Sequence, residues 1–528
     1  MGNTSSLSRA LNLAFGRLKA AGVSSARLLT GLAPGADELG ARAWIRAKLG
    51  PVHAIYPFLS DVRSPLADTA TWLDGETAIR AGRNPHLAQT RWLLSHADLL
   101  VAVWTGKRAR GAGGTGDAVR IALEAGLPIL WIEPGTMVLR LIGGPGEPSL
   151  DFLEVMETLR QMARPIEWMS AEALAQELGL AQPDIVESVE PLPSRVDRLL
   201  HRSLWRTFAL FQRLAGGRPG PRVDVSLPAD LANQDGFKEL DTAYVSADQR
   251  ATRLAAIHRS EQILLLLAAV TAAVVGSAPA VWESFKIPAV FGEFVLGLAA
   301  LAVWLSANRA RRHMRWTQAR RLAEQLRLER VAWALGISAG SGPSAHRREK
   351  TLAPTLLRGI APAQGAFDAD RVARWGAWAS EELIGGQARY HHGQAVRNRR
   401  IAHRIHLAED GTFFFLLGAL GSFLVANPIV EAMGYELDHW VVGIMLMSSV
   451  IVPAIGAASI ALEAKLEFEE QAERSTTLVA RLDELADRLP APNLEALQAT
   501  ARDAIEHLLS EADQWREGAR RRQLTRGG

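Results

Sequence analysis

Two glycine-rich runs hold the residues best suited to chemistry. The first, Gly31-Leu-Ala-Pro-Gly35-Ala-Asp37, follows the apolar stretch Ala26–Thr30. The second, Thr105-Gly106-Lys107 and then Gly111-Ala-Gly113-Gly114-Thr115-Gly116-Asp117, follows Asp98–Trp104. Each run opens onto a helical pattern. Glycine lets backbone N–H groups approach an anion closely, and a helix N-terminus adds a favourable dipole. Between the runs stands Ala81-Gly82-Arg83-Asn84, just ahead of a third helix. Arg83 has the charge to pair with a phosphate, and Asn84 the side chain to cap a helix. Asp37 and Asp117 each admit two roles, a helix cap or an acceptor for a ribose hydroxyl. The chain has no cysteine, which excludes disulfides, thiolate metal sites and cysteine nucleophiles. His391 and His392 are adjacent, without the spacing that puts two metal ligands on one helix face, and read as polar packing. The expectation is therefore no metal site and no assigned catalytic residue.

The elements that must position these loops alternate in type. Leu7–Ala21, Leu39–Leu49, Pro85–Ser95 and Asp117–Ala125 carry helical patterns. Ala26–Thr30, Val52–Phe58, Asp98–Trp104 and Pro128–Ile132 are short apolar strands. Such alternation predicts an α/β unit, a Rossmann-like parallel sheet covered on both faces, with ligands bound beyond the carboxyl ends of the strands.

The rest of the chain has a different character. Its 528 residues are 48% hydrophobic and 22% charged, so a disordered chain is excluded. A net charge of +3, from 59 basic and 56 acidic residues, is too balanced for a protein that coats nucleic acid, and none is expected as a partner. Gln262–Trp282, Gly411–Val430 and Trp440–Leu462 hold no charged residue, and Ile287–Asn308 is broken only by Glu293. Each is long enough to cross a hydrocarbon layer about 30 Å thick. The four form two hairpins. Arginines crowd the ends opposite the turns: Arg250, Arg253 and Arg259, then Arg309, Arg311, Arg312 and Arg315, then Arg397, Arg399, Arg400 and Arg404. The positive-inside rule puts both termini and the long central segment in the cytoplasm. Glu293 either reaches the outer interface or faces an aqueous path or a neighbouring subunit. Asn427, with Pro428 and Pro453, points to local kinks or cavity-facing positions.

The expected organisation is a nucleotide-binding domain over 1–145, a connector over 146–240, and a first two-span module over 241–336. A linker follows over 337–372, then a second two-span module over 373–470 and cytoplasmic helices over 471–528. The connector carries helical patterns at Leu153–Met162 and Arg195–Leu214. Trp375–Arg404 reads as one pre-membrane helix, and Arg309–Leu335 as a stalk leaving the bilayer. In the last segment Leu478, Leu482, Leu485 and Leu489, then Leu494, Leu497, Ala501, Ile505 and Leu508, predict a helical hairpin able to pack internally or between subunits.

Over residues 26–133 the order GLAPGAD, a strand ending YPF, AGRN, then ADLLVAVWTGKRARGAGGTGDAVRIALEAGLPI resembles the SLOG superfamily, whose Rossmann-like domains bind nucleotides or their derivatives. The resemblance implies a pocket with Gly31, Gly35 and Asp37 as one wall and Arg83 and Asn84 at the side. Thr105, Gly106, Gly113, Gly114 and Thr115 would form the phosphate cradle beside Asp117. Two departures stand out. The LOG enzymes of that group carry a glutamate three residues past the Gly-Thr pair, where this chain has Ala118. Family members also begin with a strand, whereas this chain begins at the helix that follows, so either the start lies too late or the sheet lacks a central strand. The duplicated plan of basic helix, two-span hairpin and cytoplasmic helix is similar to SLATT-type membrane modules of bacterial conflict systems. Together the resemblances imply a multi-pass inner-membrane effector gated by a nucleotide-derived signal, with no certain cofactor; four spans are few for a monomeric conduit, so a homo-oligomer is expected. The alternatives are a membrane-anchored hydrolase of nucleotide or NAD derivatives and a membrane scaffold.

Overall fold

The computed structural model describes residues 2–24, 26–109, 111–142, 163–178, 206–217, 225–309, 311–337, 360–434, 437–486 and 493–524. The expected helix 153–162, the first part of 195–214 and the loop 340–344 lie outside them.

The N-terminal third alternates as its pattern requires. Helix α1 (Gly2–Ala20) buries Ala10, Leu11, Ala14, Phe15 and Leu18, the three-to-four spacing of one helix face. That face packs on α2 (Ala36–Ala47), where Phe15 meets Trp44 edge-on with ring centroids 5.2 Å apart. Strands β1 (Leu28–Thr30), β2 (Val52–Tyr56) and β3 (Thr69–Trp72) are parallel, with Leu28 opposite Val52 and His53 opposite Thr69. Helices α3 (Gly75–Arg80) and α4 (Pro85–Ser95) lead to β4 (Leu100–Val103), α5 (Thr115–Glu124), β5 (Ile129–Ile132), β6 (Leu139–Ile142) and β7 (Arg164–Pro165). β4 and β5 are parallel; β6 and β7 add antiparallel strands. A short helix α6 (Ala171–Glu177) packs beside α1.

The sheet departs from the expected parallel sheet in its antiparallel β6 and β7 and in its division. It is divided into two four-stranded sheets, β1-β2-β3-β8 and β4-β5-β6-β7. The division falls between β1 and β4, the strands that carry the two glycine loops. They share an apolar cluster, with Leu28, Leu99, Val101 and Val103 against Leu130 and Ile132, but no ladder. β8 (Gly365–Ala366) comes from the expected 337–372 linker and pairs in parallel with β3, so the first sheet is completed by residues nearly 300 positions later.

The remainder is helical. α7 (Asp235–Ser277), α8 (Lys286–Arg309), α11 (Gly386–Ala432) and α12 (His439–Leu466) contain the four apolar stretches, and by length and composition all four are able to cross a membrane. α9 (Arg312–Ala334) and α13 (Phe468–Ala486) run back along α7 and α11. α10 (Ala369–Ser380) precedes α11 through a single π turn, Glu381–Gly385, so the expected pre-membrane helix starts earlier and is interrupted. α14 (Leu494–Leu524) closes the chain.

The two halves repeat one plan. In each, the second span ends at a residue with left-handed backbone, Arg311 (φ 43°) or Glu467 (φ 52°), and a new helix turns back toward the sheets. In the apolar region α7 packs against α8 and α12, and α12 against α11. The apolar faces of the spans are otherwise bare: Ile287 is 84% and Leu424 72% exposed. The largest buried cluster joins the halves and the N-terminal third, with Ile55, Leu73 and Trp92 packed among Phe237, Trp333, Trp375, Trp378 and Leu497.

Candidate functional site

Helix α4 organises the site. Asn84 is its N-cap: its Oδ1 accepts from the amides of His86 (2.9 Å) and Leu87 (3.1 Å), with Pro85 in the first turn. The capping role expected for Asn84 is the one it plays.

Both glycine loops lie against the N-terminal half of this helix. Gly113 adopts φ +85°, and a Cβ there would sit 2.4 Å from the carbonyl carbon of His86 and 2.5 Å from the amide of Leu87. Only glycine lets the second loop come this close. Thr90 Oγ1 donates to the Gly113 carbonyl at 2.9 Å. Asp117 Oδ2 accepts from the Gly113 amide at 2.9 Å, and Arg120 stands 3.9 Å from its other oxygen. Asp117 thus braces the loop instead of capping α5. The N-cap residue of α5 is Gly114, which offers no side chain, and Thr115 stands exposed at the first helical position. Thr105 is exposed after β4, while the Trp104 indole donates to the Lys107 carbonyl at 2.7 Å and Gly106 (φ +78°) turns the chain between them.

The first loop meets α4 through Gln89, which the sequence did not single out. Gln89 Nε2 donates to the Ile55 carbonyl at 2.6 Å and lies 2.8 Å from where a Cβ on Gly31 would be. Asp37 folds back over its own loop. Burial raises its carboxyl above the usual range, although the side chain keeps contact with solvent, while hydrogen bonds from the Ala33 and Gly31 backbone and from Thr30 act the other way. Gly35 (φ +115°) is the N-cap residue of α2, again with no side-chain cap. α2 and α5 therefore both start at a glycine without a side-chain cap, with the carboxylates of Asp37, Glu38 and Asp117 in their first turns and the Asp117 carboxylate turned onto the Gly113 amide.

Arg83 stands apart from the cradle. Its Nη1 donates to Asn493 Oδ1 at 2.6 Å and lies 3.2 Å from Glu495 Oε2, at the start of α14. Arg91, on α4, reaches the other oxygen of Glu495 at 3.4 Å. The far end of α4 is wedged against α9. A Cβ on Gly336 (φ +65°) would lie 1.9 Å from the Trp92 ring, and Ser95 Oγ donates to the Gly336 carbonyl at 3.1 Å. One eleven-residue helix thus touches both loops, α14 and the end of α9.

Glu293 on α8 lies across Gly276 on α7, where an added Cβ would meet its Oε1 at 1.9 Å, so the glycine makes room for a carboxylate between two spans. Its side chain is exposed, and Asn427, half-buried on α11, lies on another helix. Among the described residues no group of His, Asp and Glu is arranged to hold a metal ion.

No family model, curated protein or solved structure matches this chain.

Proposed function

We propose that the protein is a membrane-embedded effector whose N-terminal domain binds a nucleotide-derived signal and thereby biases a transmembrane helix assembly. The lipid bilayer and a phosphate-bearing ligand are its partners. In this reading the arginine-rich helix ends and both termini face the cytoplasm. The bare apolar faces of the spans meet lipid or further copies of the chain, and the outcome is a perturbed or permeabilised membrane. In this reading, supported by the resemblance to conflict-system modules, the protein acts in bacterial defence at the inner membrane.

The observation that carries the reading is the double attachment of α4. A phosphate seated at the bare start of α5 would lie against the same helix whose Trp92 and Ser95 grip the end of α9. Arg83 supplies the exchange. It and Glu495 are each 34% exposed, and an ion pair at that exposure contributes only about 0–1 kcal/mol. A ligand phosphate that recruits Arg83 therefore removes one polar tie between α4 and α14 at little cost, leaving Arg91–Glu495 and the apolar cluster of Trp92 and Leu497 to adjust. The state favoured is the one in which the ligand has the better contacts; equal affinity for both states would shift nothing.

The test is ligand-triggered leakage from proteoliposomes holding full-length protein. Arg83→Ala and Thr115→Trp are expected to insert normally and to lose the triggered response. A response equal to wild type in both variants would remove the sensor from this domain.

A further inference from the structure

A second polar site lies where the helices leave the apolar region. α7 and α9 of the first half and α11 and α13 of the second line a cavity of about 1960 Å³ there. It is bounded by Gln262, the first residue of the first span, and by Lys465, just past the last. Ten Lys and Arg side chains line it against five Asp and Glu. Part of that charge is neutralised within the wall: Glu324 binds Arg320 and Arg327, Asp248 lies 3.5 Å from Arg320, and Glu470 pairs with Arg474.

Four of the other cations are the informative ones. Arg250, Arg253, Arg259 and Arg397 have no carboxylate partner among the described residues. Arg259 is half-buried. Its guanidinium sits 5.1 Å from the Phe208 ring centroid and 5.7 Å from that of Trp316, fixed between two aromatic faces while still bordering the cavity. Burial lowers the pKa of the half-buried Arg259 and Arg397, the mark of a cation partly removed from water without full compensation, while Arg250 stands exposed at the rim. Two imidazoles beside them, His258 and His391, add no charge at neutral pH. Burial holds His258 down to about 3 and His391 to about 4, with His313 Nδ1 3.3 Å from His258 Nε2 and His391 Nδ1 3.4 Å from Ser475 Oγ. They leave a wall of neutral ring nitrogens, amides such as Gln394 and Asn398, and uncompensated guanidinium groups.

We propose that this cavity binds a multiply charged phosphoryl anion, held by Arg259 and Arg397 and clamping the two duplicated halves together. Arg259 belongs to the first half and Arg397 to the second, so one anion bridging them would resist separation of α7 from α11. Guanidinium groups are the side chains best matched to phosphate oxygens. The site is independent of the glycine loops and does not rest on their reading. The phosphoryl group has two sources: a soluble polyphosphate entering from water, or an anionic lipid headgroup at the level where the spans end.

The experiment uses the full chain in neutral detergent with inorganic tripolyphosphate, and in nanodiscs of phosphatidylcholine with or without phosphatidylglycerol. Tripolyphosphate binding by calorimetry, at least tenfold weaker in both Arg259→Gln and Arg397→Gln, assigns the site to a soluble anion. A thermal stabilisation specific to phosphatidylglycerol and lost in the same variants assigns it to a headgroup. Arg259→Lys, which keeps the charge, is expected to retain part of the binding and guards against a folding defect in the Gln variant. Arg46→Gln, an exposed arginine on α2, is expected to behave as wild type. No binding of either probe by the wild-type protein, or equal binding in both Gln variants, overturns the proposal.

Discussion

His53 shows how single residues tie this chain together. It is fully buried on β2, with Nδ1 2.8 Å from Thr69 Oγ1 and Nε2 2.9 Å from Thr71 Oγ1 on β3. Thr71 in turn donates to the Ala363 carbonyl just before β8. Burial, reinforced by Arg27 and His96, pushes the His53 pKa to about 3. The unfolded chain therefore binds a proton that the folded chain refuses between about pH 6.5 and pH 3. Stability contributed by the neutral ring is intact above the unfolded pKa and falls as pH drops through that window, by about 2 kcal/mol at pH 5. His258 and His391 act in the same sense. Thermal melts at pH 7 and pH 5 should show the protein less stable at the lower pH, with a smaller difference in His53→Gln; an unchanged difference would remove His53 from the effect. At this scale the sequence was legible where a residue acts on its neighbours. Asn84 before Pro85 announces a cap. Arg83 was not legible in the same way, because its partners Asn493 and Glu495 lie some 410 positions away and no local pattern connects them.

Elements differ in how much of themselves they write into the chain. The four apolar helices were legible because about twenty uncharged residues in succession leave few alternatives. Their length was less so. α7 and α11 run 43 and 47 residues without interruption, because the polar residues outside the apolar stretches favour the helix equally well. β3 (Thr-Ala-Thr-Trp) lacks the apolar run that marks β1, β4 and β5, β7 and β8 have only two residues each, and the pairing of all three is set by the tertiary packing around them. The turns that end the second span of each half carry no glycine signal either. Arg311 accepts a left-handed backbone that costs a side-chain-bearing residue about 1–2 kcal/mol. Arg311→Gly should therefore leave the melting temperature unchanged or higher, and Arg311→Val should lower it by a shift equivalent to about 1–2 kcal/mol. A Val variant as stable as wild type would mean that the helix break is not held in that conformation in solution.

At the scale of the whole molecule the duplication and the shared core set what can move. Each half has its span pair and its returning helix, while Trp333, Phe237 and Trp378 bind the halves and the N-terminal third into one apolar cluster. Arg330 sits within it, paired with Asp241 at 3.0 Å and Glu382 at 3.6 Å and lying over the rings of Phe237, Tyr244 and Trp378. That core was not legible, because its members come from segments that read separately as sheet, stalk, linker and terminal hairpin. α4 joins that cluster through Trp92 and meets α14 at its surface through Arg83 and Arg91, and in the proposed reading a ligand at the glycine loops acts on the surface pairs first. The direct test is a nucleotide panel, spanning cyclic oligonucleotides, ADP-ribose variants and ordinary triphosphates, against the full-length protein in detergent by thermal shift, with the bound compound recovered by chromatography. The account predicts a stabilising compound, recovered intact, whose effect is lost in Arg83→Ala and Thr115→Trp. A compound recovered as products, or no compound that shifts the wild-type protein, would contradict it.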